Sequence, residues 1–328
     1  KSITLIKNDN DILPLKDISS KIAFLEMGGS NSDEFFKMLN HYTKVDKIEY
    51  DSEILKKIEP YNTVIVGFHK SNKSPFDPYK FSKSDKEILE LISKNKKVIL
   101  NVFAKPYALM DVDMTNISSI IVSYQNNSTA QNKSAQIIFG ALPALGKLPV
   151  SINNKYPVHT SIKTTTLDRL SYGLPSNIIF DLDKLNSIDL FVEDAIENKM
   201  TPGAQVLIAK NGKVIFNKNY GYKTYNKTEP IDWDNIYDLA SLTKILSSVP
   251  LLMNEYENNT IDEESTLFDI IPDLNLRDKS NLLLKEMLAH QSGLYPWIPF
   301  YKETLDSINH DPLSSFYSKK KTNFFLFL

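Results

Sequence analysis

The segment Asp238-Leu-Ala-Ser-Leu-Thr-Lys244 carries a hydroxyl and an amine three residues apart, Ser241 and Lys244, at the head of an apolar run. Ile245, Leu246, Val249, Leu252, Met253 and Tyr256 follow at roughly helical spacing, which predicts a helix beginning near Ser241. In the first turn of a helix the serine amide has no intrahelical acceptor, and the helix dipole favours negative charge developing there. Three residues on is one turn up the same face, so the Lys244 amine can reach the Ser241 hydroxyl. A serine hydroxyl becomes a competent nucleophile when a neighbouring base takes its proton. A lysine can serve once burial and a nearby cation lower its pKa. Taken alone, the tetrapeptide far more often marks an ordinary N-capped helix with an exposed lysine, so the rest of the chain has to decide.

Other residue types narrow the chemistry. There are no cysteines, which excludes disulfides, thiol nucleophiles and thiolate metal sites. The five histidines (His41, His69, His159, His290 and His310) are scattered without metal-ligand spacing, so no metal and no other cofactor is expected. His290 and Ser292 suggest a Ser-His-Asp triad, but His290 is expected in the last turn of a helix over 282–289, stopped by Gly293. A histidine there satisfies carbonyls and the helix dipole. Lysine and arginine number 38 against 40 acidic residues, a net charge of -2, so no basic field invites nucleic acid. No apolar run approaches the roughly 18–20 residues that span a bilayer, and no signal peptide opens the chain.

A length of 328 residues suggests two domains. In the first, Ile22 to Met27, Thr63 to Phe68, Val98 to Phe103 and Ile120 to Tyr124 read as buried strands, with a weaker candidate at Val45 to Tyr50. Continuous apolar strands imply a parallel sheet covered by helices on both faces, an α/β layer. The clearest helix runs from about Ser84 to Asn95, with Ser84 as cap, Glu87 three residues on, and Ile88, Leu89, Leu91 and Ile92 buried. Gly28-Gly29-Ser30 after the first strand reads as a tight turn, since neither G-x-G-x-x-G nor G-K-[ST] is present. Lys105-Pro106-Tyr107 follows a strand end, where such sheets usually hold ligands. Asp77, Asp85, Glu87 and Glu90 read as solvated charges rather than a glycosidase pair.

From about 143 to 180, Pro143, Pro149, Pro157 and Pro175 punctuate a stretch rich in Asn, Ser and Thr, expected to be an extended connector lying along one domain. A helix over 181–198 follows. Ala204 to Lys210 and Lys213 to Asn217 then form a hairpin through Asn211-Gly212. Pro250 is expected to kink or end the serine helix near Leu246 to Val249.

Two resemblances emerge from these motifs. Ser2-Ile-Thr-Leu-Ile-Lys-Asn8, Val102-Phe-Ala-Lys-Pro-Tyr-Ala108, Ser123-Tyr-Gln125 and Gly146-Lys-Leu-Pro-Val-Ser151 resemble the C-terminal α/β domain of glycoside hydrolase family 3. In that family the nucleophilic aspartate lies on a preceding barrel, and nothing here resembles that barrel, so an auxiliary role is implied. The stretch with Pro202-Gly203, Ala209-Lys-Asn-Gly-Lys213, Tyr220-Gly-Tyr222, Asp238 to Lys244 and Met287-Leu-Ala-His-Gln-Ser-Gly-Leu294 resembles class C β-lactamases and D,D-peptidases. That resemblance implies Ser241 as acylated nucleophile, Lys244 as proton acceptor and the Ser241 amide as one oxyanion donor. It also implies a Tyr-x-Asn motif and a late His/Lys-x-Gly strand. Tyr317-Ser-Lys319 departs from the first of these, and the chain runs out in Lys319-Lys-Lys321 and Phe324-Phe-Leu-Phe-Leu328.

The expected organisation is an α/β domain over 1–151, a linker over 152–180, and an incomplete α+β serine β-lactamase/transpeptidase-like domain over 181–328. The expected function is part of a bifunctional bacterial hydrolase, a β-N-acetylglucosaminidase-type glycosidase plus a serine hydrolase, acting on cell-wall glycan or peptide. The resemblance implies carbohydrate or peptidoglycan-derived substrates and a periplasmic or secreted parent protein. The alternatives are a non-catalytic glycan-binding remnant or pseudoenzyme, and an esterase on the same scaffold.

Overall fold

The computed structural model describes residues 2–74, 76–173, 181–272, 279–295, 297–307 and 311. These fall into two compact units, 1–235 and 236–328. Tyr317-Ser-Lys319, His310, Pro175 and the apolar tail lie outside the described residues.

In the first unit, the strands β1 (Thr4–Asn8), β2 (Ile22–Met27), β3 (Val45–Lys47), β4 (Thr63–His69), β5 (Lys97–Phe103) and β6 (Ser119–Val122) form one sheet in the order β1-β6-β5-β4-β2-β3. Strands β2 to β6 are mutually parallel, and β1 closes the edge antiparallel to β6. Between and after the parallel strands come α1 (Asp33–Asn40), α2 (Ile54–Lys57), α3 (Lys83–Ser93) and α4 (Ser128–Ile138). Alternation along the strands builds a core on each face. Val64, Val66 and Phe68 pack with Ile54, Leu89 and Ile92 from α2 and α3. Ile65, Ile99 and Phe103 pack with Phe35, Leu39 and Ile138 from α1 and α4. Each such buried side chain contributes roughly 1.5–3 kcal/mol, which is why the apolar runs mark these strands so clearly in the sequence.

Three local expectations need correction. The cap of α3 is Ser82, not Ser84: its hydroxyl accepts from the Asp85 amide and the Asp85 carboxylate accepts from the Ser82 amide. Because Asp85 closes that box and also accepts from the Tyr50 hydroxyl at 2.9 Å, it is buried rather than solvated. On the same helix Leu89 and Ile92 are buried, whereas Leu91 faces out.

The point where the strand order reverses lies between β2 and β4, a common ligand position in open α/β sheets. Here the molecule fills it with its own atoms. Gly28 has φ +91, and a Cβ there would stand 2.3 Å from the His69 carbonyl oxygen. Gly28 is thus a tight-turn glycine pressed against β4. The fully buried His69 ring stacks on Phe103 at 4.3 Å, and its Nδ1 bonds the Asn126 side-chain oxygen at 2.9 Å.

The connector does lie along this domain. The Ile162 amide donates to the Leu5 carbonyl, and Leu167 to Gly140. The Arg169 guanidinium donates to the carbonyls of Leu15, Phe139 and Lys16 at 2.6–2.8 Å. It ends in β7 (Ser171–Tyr172), which pairs in parallel with β9 (Lys213–Gly221); β9 pairs antiparallel with β8 (Gly203–Lys210). Asn211 and Gly212 turn the hairpin with φ +51 and +70, the positive angles of a type I′ turn. Before it runs α5 (Leu182–Glu197), whose Asp181 carboxylate accepts from the Asp183 and Lys184 amides. The connector therefore contributes a strand to the hairpin's sheet, and both belong to the first unit.

The second unit contains a widened helical turn over Lys244–Ser248, then α6 (Val249–Glu257), α7 (Leu267–Ile270) and α8 (Leu284–Leu288). Among the described residues no helix is long and apolar enough to cross a membrane.

Candidate active site

The approach to Ser241 is set by two residues before it. The Asp238 carboxylate accepts the Ala240 amide at 2.9 Å, and Ala240 takes φ +43, a left-handed conformation that costs a residue with a Cβ about 1–2 kcal/mol. Strained backbone of this kind concentrates at functional turns, where the surrounding structure holds it in place. The chain then winds into a helix through i to i+3 bonds, Leu242 to Leu239, Thr243 to Ala240 and Lys244 to Ser241. This puts Ser241 at the turn that opens the helix, as its spacing from the apolar run predicts.

Lys244 Nζ donates to Ser241 Oγ at 3.0 Å. The hydroxyl and the amine are therefore in contact, and both residues are exposed. The burial that a lysine base needs is not supplied by the described residues of this unit.

Pro250 does not end the helix. From Lys244 to Ser248 the turn widens, with the Val249 amide donating back five residues to the Lys244 carbonyl, and Pro250 sits in the first turn of α6. Proline lacks an N–H and its ring crowds the carbonyl four residues earlier; widening the preceding turn accommodates both. Such π-type turns are frequent at functional sites.

Among the described residues, the apolar stripe behind Ser241 is uncovered. Leu242, Ile245, Leu246 and Met253 are each about 60% exposed, and no residue of α6, α7 or α8 is buried. Trp297, Ile298, Phe300 and Tyr301 are exposed as well, so among the described residues they do not fill a core.

His290 has a structural role, but not the one the sequence suggests. It lies two residues past α8 with φ +59, so His290 itself, and not Gly293, is the left-handed residue that stops the helix. The Gln291 amide returns to the Glu286 carbonyl and the His290 amide to that of Met287, the paired bonds of a Schellman stop. Histidine tolerates that conformation only moderately well, which is why the sequence points to glycine instead. The partner of Ser241 is Lys244. Sequence reasoning missed the positioning role of Asp238 and the strain at Ala240; an acceptor two residues before a left-handed position is the only signal it offered.

Residues 3–187 match the Glycosyl hydrolase family 3 C-terminal domain, and residues 191–321 match the Beta-lactamase family. The first match takes in more than half of the chain, and the chain belongs to the family defined by that glycosyl hydrolase family 3 C-terminal domain, here followed by a β-lactamase-like segment. Protein flp of Staphylococcus aureus (strain NCTC 8325) is 29% identical over 115 residues, 34% of this chain and 23% of the relative's length. The chain thus spans about a quarter of that curated relative. Among solved structures, the beta-glucosidase from Listeria innocua in complex with isofagomine overlaps 46% of this chain and 25% of its own, with TM-score 0.39 and 14% identity. A fungal multi-domain GH3 beta-N-acetylglucosaminidase overlaps 65% and 27%, with TM-score 0.39 and 19% identity. The family assignment rests on the sequence matches.

Proposed function

We propose that this chain is part of a bifunctional hydrolase of the bacterial cell wall, in which Ser241 is an acyl-accepting nucleophile and Lys244 its proton acceptor. The observation that carries the reading is the 3.0 Å contact between Lys244 Nζ and Ser241 Oγ at the start of a helix. In the reaction, the Lys244 amine takes the hydroxyl proton as Oγ bonds to the substrate carbonyl carbon. The Ser241 amide donates to the oxyanion, the leaving group departs with the proton that Lys244 returns to it, and water then hydrolyses the acyl ester, releasing the acid and restoring the Ser241 hydroxyl. The family 3 domain is the auxiliary partner of a glycosidase, which makes amino-sugar glycans or the peptides attached to them the substrate class. A periplasmic or secreted setting of the parent protein follows from that substrate.

The test is mass spectrometry after incubation with a fluorophosphonate or a β-lactam. One adduct, lost in Ser241→Ala, supports the reading; labelling that persists in Ser241→Ala defeats it. A second reading, a glycan-binding pseudoenzyme, is favoured by the exposure of both site residues and of the stripe behind them. Glycan affinity with no adduct at Ser241 selects it. An esterase on this scaffold is separated by turnover of short acyl esters without β-lactam acylation.

A further inference from the structure

The carboxyl ends of β4, β5 and β6 open onto two adjoining crevices, of about 460 and 570 Å³, that share Tyr124 and Gln125 in their walls. Each lies in the range of small-ligand sites, roughly 300–1,000 Å³. Both stand at the sheet edge where α/β folds hold ligands. Their walls carry four lysines: Lys70 and Lys105 in the smaller, Lys133 and Lys147 in the larger. The one acidic residue among those lining them is Asp77, whose carboxylate accepts from the Ser71 hydroxyl at 2.6 Å and the Ser74 amide at 3.0 Å and lies in the field of Lys105, so the walls carry four cations to one anion. In a chain with a net charge of -2, this is a local excess of positive charge focused in a cleft.

Three of the four cations are also positioned. Lys70 Nζ lies 5.5 Å from the centre of the Phe68 ring, and Lys105 Nζ lies 5.1 Å from that of Tyr79. Lys133 is half-buried and donates to the Tyr172 carbonyl. An ammonium group carries three donors, and holding it over a ring face restricts its stem. Between them the walls offer the neutral side chains of Asn72 and Gln125, the latter's oxygen already accepting from Asn127, and the rings of Tyr79 and Tyr124. Amides and aromatic faces suit sugar hydroxyls and pyranose faces, and paired ammonium groups suit carboxylates.

We propose that this trench binds a carboxylate-bearing glycan, with Lys70 and Lys105 reading one acidic group and Lys133 and Lys147 the next along the chain. The inference rests on the glycan reading above and narrows it to acidic saccharides. It is tested on the full chain by calorimetric titration at low salt with two tetrasaccharides that share N-acetylglucosamine: a hyaluronan tetrasaccharide, which carries carboxylates, and neutral chitotetraose. The acidic tetrasaccharide should bind at least about tenfold tighter, the scale of one charge-assisted hydrogen bond, and its advantage should shrink with added salt. The double variant Lys70→Gln/Lys105→Gln should lose that advantage. Lys21→Gln, beside the opposite end of β2, should keep it. Equal affinity for the two sugars, no binding of either, an unchanged preference in the double variant, or a single-stranded oligonucleotide binding as tightly would each overturn the proposal. Fluorophosphonate labelling of Ser241 in the same samples separates its failure from failure of the hydrolase reading.

Discussion

Acidification should destabilise the α/β unit through His69. This imidazole is fully buried at the end of β4; its Nδ1 bonds Asn126, and its Nε2 has no partner among the described residues. Desolvation penalises the cation, so its pKa falls from 6.5 to about 4, against the smaller opposing effects of Asn126 and Glu26. An unfolded histidine takes its proton near 6.5. Above that pH neither state is protonated and the stability is at its plateau. Between about 6.5 and 4 only the unfolded state binds the proton, so stability falls by about 1.4 kcal/mol per pH unit and levels off near 3 kcal/mol below the plateau. That is a large share of the roughly 5–15 kcal/mol that holds a domain folded. His41 is also lowered to about 4, by burial and then by Lys37, but it is partly exposed and solvent screening makes its contribution smaller. Urea unfolding at pH 7, 6, 5 and 4.5 should show the decline in the native chain and a much flatter profile in His69→Phe. If that variant does not fold, the imidazole resonances of the native protein give the midpoint directly. A His69 midpoint near 6.5, or a pH profile unchanged in a folded His69→Phe, would refute the reasoning.

Two substitutions test the local accounts. Gly28→Ala puts a Cβ in the left-handed region and against the His69 carbonyl, so it should cost about 2–4 kcal/mol in urea unfolding; a loss under 1 kcal/mol would mean the turn is not closed on β4. Ser82→Ala should cost about 1 kcal/mol and Ser84→Ala far less; the reverse order would return the cap of α3 to Ser84.

The strands were legible because a parallel sheet covered on both faces writes itself as continuous apolar runs, and β2 falls where its run places it. The edge strand β1 (TLIKN) lacks such a run, and only its pairing with β6 defines it as a strand. Helix α4 was hidden for a different reason. Its buried face includes Gln131, Ser134 and Gln136, which satisfy one another's neighbours: Gln131 accepts the Phe35 amide, Ser134 meets Ser123, and Gln136 bonds Tyr172. With these polar residues beside Ala135, Ile137 and Ile138 on the buried face, the apolar period is broken. The path of the connector depends on Arg169 reaching backbone carbonyls, which carry no residue identity. At Ser241 the spacing fixed which two groups meet, because three residues along a helix is a geometric statement. It could not say whether the apolar stripe behind them is covered, since a hydrophobic period records a need for a partner rather than the partner itself. The lysines of the trench come from 70, 105, 133 and 147, and only the return of successive parallel strands to one sheet edge collects them.

The account turns on the Lys244 amine activating the Ser241 hydroxyl. The most direct measurement is the rate at which a fluorophosphonate phosphonylates Ser241 with loss of fluoride, with the modified peptide identified by mass, in the native chain and in Lys244→Gln. A general base of this kind is worth about 10²–10⁴ in rate, so the variant should react at least about a hundredfold more slowly. Equal rates in the two proteins, or an adduct on a residue other than Ser241, would contradict it.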